Sequence, residues 1–486
     1  MNLSGITLLG LGPGNPDMLT VQAWYVLENI SEIYLRTSEH PVIDGFPEGI
    51  QVHSFDYLYE REDDFEDVYN HIIEQVLKLG LKPNGIVYAV PGHPLIAEAT
   101  CPVIANRARE AGIPVKIVPG LSFLEPVTAA LNTDLLPQTS LVDALELAMG
   151  HVPPFPSSAP AMVAQLHSKF IAADVKLTLM SIYPDEHTVF LVHAAGTSYE
   201  KVEVLPLYKI DRSDQIGLLT TLYVPPLGPA TSFEAFQDVI AHLRAPDGCP
   251  WDREQTHQSL RPHLLEEAYE VISALDSDDP VAMQEEFGDL LLQVVLHAQI
   301  ASEYGEFNMS DVIEGVHNKI VNRHPHVFGD IELNEMDGVL LNWEKMKAEE
   351  RVANGEGEKS LLEGVAQALP ALIQAEQYQQ RVSRVGFDWK EIQGVIDKVN
   401  EELGEVYQAE DQKSRAIEMG DLIFAVVNLA RWYDVDAESA LREANARFRA
   451  RFSQVEQAVH AQNRSISELS QDELESLWLA TKKKDR

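Results

Sequence analysis

The chain has 486 residues, 45% hydrophobic and 23% charged, the composition of an ordinary soluble protein long enough for roughly two to four domains. Its formal net charge of -39 argues against a nucleic-acid polymer or an anionic membrane surface as partner, but not against small nucleotides whose phosphates travel with Mg²⁺. Cys101 and Cys249 are too few for a disulfide framework, and neither a secretory leader nor a membrane-length apolar run is legible, so a cytoplasmic protein is expected.

Up to about Pro225, β-rich runs alternate with helical stretches: Ile6 to Leu9, Ile33 to Leu35, Ile86 to Val90, Val115 to Val118, Val189 to Val192 and Gly217 to Val224. This pattern predicts an α/β region. Gly10-Leu11-Gly12-Pro13-Gly14 follows the first run directly. It is not a dinucleotide fingerprint, because Pro13 interrupts it and the third glycine is misplaced. Pro91-Gly92-His93-Pro94 and Pro119-Gly120-Leu121-Ser122 also follow β-rich runs, where α/β folds place ligand loops. Ordinary tight turns are the competing reading of all three.

Together with Asn15-Pro16-Asp17-Met18-Leu19-Thr20, these loops resemble the tetrapyrrole (corrin/porphyrin) methylase family, over about residues 1 to 225. The resemblance implies two α/β subdomains with S-adenosylmethionine in the cleft between them. It makes Gly92, His93, Pro94, Gly120 and Ser122 candidate cofactor-binding residues. The family commonly has Asp at the middle of its Gly-x-Pro turn; His93 stands there in this chain, and a carboxylate is lost from the cofactor loop.

The breaker cluster Pro225-Pro226-Leu227-Gly228-Pro229 reads as a linker, after which amphipathic helices replace the strand-like runs. The expected division is therefore 1–225, α/β; 226–232, linker; 233–353, first helical repeat; 354–359, a polar glycine-containing connector; and 360–486, second helical repeat. The repeat shows in an acidic motif written twice. Glu266-Glu267-Ala268-Tyr269-Glu270 precedes Glu286-Phe287-Gly288-Asp289, and Glu401-Glu402-Leu403-Gly404-Glu405 precedes Glu418-Met419-Gly420-Asp421. Three-residue spacing puts Glu267 with Glu270, Glu286 with Asp289, Glu402 with Glu405 and Glu418 with Asp421 on single helix faces. Such a concentration of carboxylates requires a cation, and hard oxygen ligands with no nearby cysteine point to Mg²⁺ or Mn²⁺. A solvated acidic face is the plainer reading of any single copy. Leu290, Leu291, Val294 and Val295 beside Asp289, and Leu422, Ile423, Val426 and Val427 beside Asp421, predict that the acids border a buried stripe.

Further features recur in the same order. Lys319 and Arg323, then Trp343 and Lys347, follow the first motif; Arg447 and Arg451, then Trp478 and Lys482, follow the second. Cations four apart suit phosphates and a tryptophan suits a base. A di-iron bundle would require Glu-x-x-His pairs, and Glu254 with His257 has no counterpart in the second half. His324 and His326 flank a proline and are read as a structural turn.

Gly248-Cys249-Pro250-Trp251-Asp252, the doubled acidic motif, Arg323-His324-Pro325-His326-Val327-Phe328 and Val385-Gly386-Phe387-Asp388-Trp389 resemble the MazG nucleoside triphosphate pyrophosphohydrolases, from about Phe233 to Arg486. The resemblance implies an all-α, Mg²⁺-dependent, usually homodimeric enzyme that cleaves nucleoside triphosphates to monophosphate and pyrophosphate. The second repeat is the one associated with catalysis in tandem members. It makes Glu402, Glu405, Glu418 and Asp421 catalytic metal ligands, and places Arg447, Arg451, Trp478 and Lys482 at the nucleotide; Arg447 replaces a usual lysine. Glu267, Glu270, Glu286 and Asp289 form a second candidate metal cage. The expected protein is thus multidomain, an α/β methylase-like part followed by all-α MazG-like repeats. The alternatives are a methyltransferase with an accessory helical part and a nucleotide sensor that releases its ligand intact.

Overall fold

A computed structural model describes residues 4–62, 65–329, 360–462 and 464–484. The chain divides into two compact units, Met1–Gly315 and Val316–Arg486. In the first, β1 (Ile6–Gly10), β2 (Glu32–Leu35), β3 (Gln51–Ser54), β4 (Ile86–Val90) and β5 (Val115–Val118) form a parallel sheet in the order β3-β2-β4-β1-β5. β1 and β4 are buried at every position, as continuous apolar runs in a sheet covered on both faces must be. Ile6, Leu8, Ile86 and Tyr88 pack on one side with Ile72, Val76 and Ile104 of the helices Phe65–Leu79 and Thr100–Glu110. Leu9, Val87 and Ala89 pack on the other with Ala23, Val26 and Leu27 of Val21–Glu28.

A second sheet, β6 (Ser140–Asp143), β7 (Ala161–Ala164), β8 (Thr188–His193), β9 (Lys201–Pro206) and β10 (Thr220–Val224), runs in the order β6-β7-β10-β8-β9. β6 pairs with β7 in parallel and the other pairings are antiparallel. The helix Lys169–Met180 covers it through Ala172, Val175 and Leu179. The two expected α/β subdomains are present. The last strand starts at Thr220, not Gly217, because Gly217 donates to Thr220 Oγ1 at 2.9 Å and accepts from Thr220 N at 3.0 Å, which closes a turn. β3, β6, β7 and β9 escaped the β-rich reading: β3 and β9 are sheet edges with mixed polarity, and β7 carries two alanines in four residues.

Past Val224 the described residues contain helices and turns but no strand. The helix His257–Ser277 opens with a capping box between Thr256 and Ser259, and Asp279 caps the next helix, Pro280–Glu303, by accepting from Val281 N. In the second unit Ile392–Gln408 packs against Gln412–Trp432, whose cap is Asp411 accepting from Ser414 N. Each acidic motif therefore occupies two helices joined by a short connector, a layout that folds them back antiparallel.

Two of the quoted motifs are structural anchors. Gly248 has its α-carbon against the carbonyls of His242 and Leu243, where an added Cβ would sit 2.3 and 2.4 Å away, and so the turn into Pro250 demands glycine. The buried Arg244 guanidinium binds the Asp252 and Gln255 carbonyls and forms a two-pronged ion pair with Glu303, at 2.8 and 2.7 Å. In the second unit Asp388 receives Arg431 Nη2 at 2.8 Å and Trp432 Nε1 at 3.2 Å, while Trp389 lies across Gly394, where a Cβ would be 2.3 Å from the indole. His324 Nδ1 lies 2.7 Å from the Ile320 carbonyl at a helix end, in keeping with a turn role.

Candidate active site

The expected buried stripe beside the acids is only half present. Val295 and Val427 are buried, but Leu291, Val294, Ile423 and Val426 are exposed, because each acid-bearing helix is covered along one narrow face. The carboxylates nevertheless meet. Glu402, Glu405 and Glu418 bring ligand oxygens within 4.8 Å of one another, and Glu267, Glu270 and Glu286 do the same. Glu418 is held above the ordinary carboxylate range, by burial first and then by Glu405, Asp421 and Glu402. Glu267 is likewise raised by burial, then by Asp289 and Glu270, and Glu286 by burial, then Glu270, Glu285 and Asp289. Asp421 and Asp289 therefore lie within electrostatic reach of their clusters.

Glu402 distinguishes the second cluster. It is 6% exposed, deeply buried for a glutamate, and its Oε2 has no hydrogen-bond partner. A buried carboxylate oxygen left unpaired costs about 1–3 kcal/mol or more, so this atom points to an absent partner. Octahedral Mg²⁺ with bonds of about 2.0–2.1 Å spaces its oxygens within the observed limit, and an all-carboxylate donor set matches its preference. The residues fit such an ion.

The other Glu402 oxygen accepts from Lys398 Nζ at 2.8 Å, and the same ammonium lies 3.2 Å from Glu401. These two contacts hold Lys398 above its ordinary value, Glu402 contributing more than Glu401. Lys398 was missed in the sequence, although its spacing of three and four residues to two glutamates on one helix was a legible signal. At the corresponding place His263 lies 3.8 Å from Glu266.

Arg447 is engaged by Glu443 on its own helix at 3.0 Å, not by the acid cluster. Arg451 lies on the same helix, Ala437–His460, which packs against Gln471–Lys484. There the Trp478 ring tilts against Phe448 with centroids 5.2 Å apart, so one tryptophan face is partly committed to packing. The side chain of Lys482, together with Trp343, Lys347 and the 354–359 connector, lies outside the described residues. Lys319 is exposed on Met309–Arg323, the helix that also ends in Arg323.

In the α/β part the three glycine-containing loops converge at the carboxyl ends of β1, β4 and β5. Gly12 and Gly92 exchange backbone hydrogen bonds of 3.1 and 2.8 Å, both with positive φ (+73° and +68°). Gly120 packs so closely that an added Cβ would stand 2.4 Å from the Gly92 carbonyl oxygen and 2.8 Å from Gly10 carbon. His93 Nδ1 accepts from Leu95 N at 3.0 Å, and Pro94 follows it in the turn. The buried Ser122 donates to Glu125 Oε2 at 2.6 Å and accepts from Leu124 N, so its hydroxyl is occupied in shaping the loop.

An ion pair invisible in the sequence lies beside these loops: Arg36, just past β2, meets Glu98 at 2.5 Å, and Glu98 also receives Thr100 N at 2.9 Å. His40 is buried there too, and burial, with Arg36 nearby, lowers its proton affinity to about 4. Arg36 and Glu98 are 62 residues apart, beyond any local periodicity.

Comparison with known proteins agrees with both parts. The model of the tetrapyrrole (corrin/porphyrin) methylases matches residues 5–211, and that of the MazG nucleotide pyrophosphohydrolase domain matches residues 255–328. The MazG nucleoside triphosphate pyrophosphohydrolase/pyrophosphatase of Thermotoga maritima is 44% identical over 246 residues, 51% of this chain and 94% of that protein. The nucleoside triphosphate pyrophosphohydrolase of Escherichia coli K12 is 42% identical over 253 residues, 51% of this chain and 95% of that protein. Among solved structures, uroporphyrin-III-C-methyltransferase from Thermus thermophilus has a TM-score of 0.38 at 20% identity, over 46% of this chain and 94% of that one.

The class is therefore a fusion of a tetrapyrrole-methylase α/β part with a MazG helical part. YabN of Bacillus subtilis is 38% identical over 490 residues, 99% of either protein. The chain belongs to the family of YabN.

Proposed function

We propose that the helical part is a divalent-cation-dependent nucleoside triphosphate pyrophosphohydrolase working in nucleotide-pool control, with Glu402, Glu405, Glu418 and Asp421 as its metal cage. The observation that carries this reading is the unpaired, buried Glu402 Oε2 within a triad of converging carboxylates. The MazG relatives support it by name. Bound Mg²⁺ or Mn²⁺ supplies Lewis-acid neutralisation of the phosphate charge that builds as the bond between the α-phosphorus and the bridging oxygen breaks.

The protein's own groups do the rest. Arg447, Arg451 and Lys482 offer cations to the phosphate oxygens, and Trp478 offers a face to the base. A water oxygen bonds to the α-phosphorus, its proton passes to Glu401 or Glu405, and pyrophosphate leaves the monophosphate behind. Lys398 steers the Glu402 carboxylate by its 2.8 Å contact. Glu267, Glu270, Glu286 and Asp289 are proposed as a second cation site. The domain limits at 225, 232, 353 and 359, a cytoplasmic location and a homodimer belong to the same reading. Exposed Ile423, Phe424 and Val426 support the homodimer, and no described helix is long and apolar enough to cross a membrane.

The test is product analysis of the full-length protein with ordinary, deoxy and damaged nucleoside triphosphates and Mg²⁺ or Mn²⁺. Equimolar monophosphate and pyrophosphate are expected. Intact triphosphate after tight binding would make the protein a sensor, and orthophosphate would overturn the reaction proposed.

A second reading is favoured by one observation, the convergence of three glycine-containing loops at the carboxyl ends of β1, β4 and β5. Gly92, His93, Pro94, Gly120 and Ser122 would there hold S-adenosylmethionine, mainly through backbone groups, since the Ser122 hydroxyl is already engaged. Calorimetric titration of the full-length protein with S-adenosylmethionine decides it; absence of heat up to millimolar cofactor would reject the site.

A further inference from the structure

His257 and His297 meet with their Nδ1 atoms 2.7 Å apart. The rings are nearly parallel, 3° between planes, with centroids at 5.0 Å. Two lone pairs would repel at this distance and two N–H groups would collide, so one nitrogen donates and the other accepts. A metal is not what the gap fits. Two zinc–nitrogen bonds of about 2.0–2.1 Å at a tetrahedral angle hold their nitrogens about 3.3–3.4 Å apart.

The surroundings also decide which ring carries the shared proton. His297 Nε2 is buried without a partner, where an N–H would lack an acceptor, so His297 carries its proton on Nδ1 and donates it to His257. His257 is the first residue of its helix, where the exposed backbone N–H groups disfavour an added positive charge. Burial and His257 together push the His297 imidazole below its ordinary value. Burial and His257 are the two influences on the His297 ring, and the buried Arg244 on the neighbouring helix Phe233–Arg244 is already neutralised by Glu303.

We propose that His257 and His297 form a single-proton clasp that pins the start of one acid-bearing helix to the last third of the other, and that uptake of a second proton opens it. Doubly protonated, the pair would place N–H against N–H, and the first turn from His257 separates from Pro280–Glu303. The sequence carries an independent control. His257 and Ile392 each begin their helices, and His297 and Leu429 stand equally far past Pro280 and Gln412, so the second copy has apolar residues at the two positions where the first has titratable ones. The sign follows from the gap between the rings: it holds one proton, so a second binds only where the clasp is open, and the clasp weakens as pH falls through the ordinary histidine range.

The experiment uses the full-length protein labelled with ¹⁵N-histidine, alongside amide exchange of residues 257–263. Near neutral pH two neutral rings are expected, one of them the Nδ1–H tautomer. Between pH 7.5 and 5.5, exchange corrected for its intrinsic rate should rise about tenfold in the native protein and stay flat in His257→Ile/His297→Leu. His297→Gln, which keeps hydrogen-bonding capacity without titrating, serves if the double variant fails to fold, and should also stay flat. Protection independent of pH, an equal rise in the variants, or displacement of the shared proton by one equivalent of Zn²⁺ would each overturn the clasp.

Discussion

The two acid-bearing helix pairs carry the same charges at the same spacing but differ in depth. In the second copy Glu402 is buried, with one oxygen bound by Lys398 and the other unpaired. In the first copy Glu267 is half-buried, and His263 approaches Glu266 rather than Glu267. Position on a helix face brings carboxylates together; burial decides how much they need a cation. Only the second pair shows a carboxylate oxygen that folding alone leaves unsatisfied.

That contrast breaks most directly in turnover. Glu405→Ala is expected to lower pyrophosphate release by about a hundredfold or more, equivalent to ~3 kcal/mol, with circular dichroism unchanged. Glu270→Ala should leave release within about threefold; the opposite ranking in a steady-state assay would move the working site to the first copy. Next in size are the anchors. Arg244→Met strands Glu303 and two carbonyls, and Arg431→Met strands Asp388, each at a cost of roughly 2–4 kcal/mol read from the urea midpoint. A loss confined to one variant would show that the copies are not stabilised alike.

Lys398→Met sharpens the comparison at the cage itself. With the resident ammonium gone, Mn²⁺ affinity by calorimetry should rise severalfold, on the order of 1 kcal/mol, whereas His263→Met should change it little. Unaltered affinity in Lys398→Met would mean that the ammonium and the ion do not share the site.

The smallest effect is on pH. Glu267, Glu286 and Glu418 have folded-state values raised above their unfolded ones, so without metal the stability they contribute is present at acid pH and lost as pH rises through the raised values. A divalent cation held as proposed would oppose that loss. Added Mn²⁺ should therefore raise the melting temperature more at pH 7 than at pH 4.5, and an equal gain at both would contradict the shared-charge account.

The acidic clusters were legible because their carboxylates recur at helical spacing, and the α/β part because its central strands are unbroken apolar runs. Lys398 was equally legible, three and four residues ahead of Glu401 and Glu402. Arg36 with Glu98 and His257 with His297 join residues 62 and 40 positions apart, pairings that only packing creates. The apolar stripe is narrower than its residues imply, since Ile423 and Val426 face outward while Val427 is buried. Edge strands such as β9 lack the apolar signal because one side of each meets solvent.

Gly10, Gly92 and Gly120 are closed to side chains for two reasons: a Cβ at Gly10 or Gly120 would strike a neighbouring loop's main chain, and Gly92 holds a left-handed φ of +68°. Variation in these loops therefore has to fall on their other residues, which makes His93 and the residues beyond it the adjustable part and the glycines the fixed gauge.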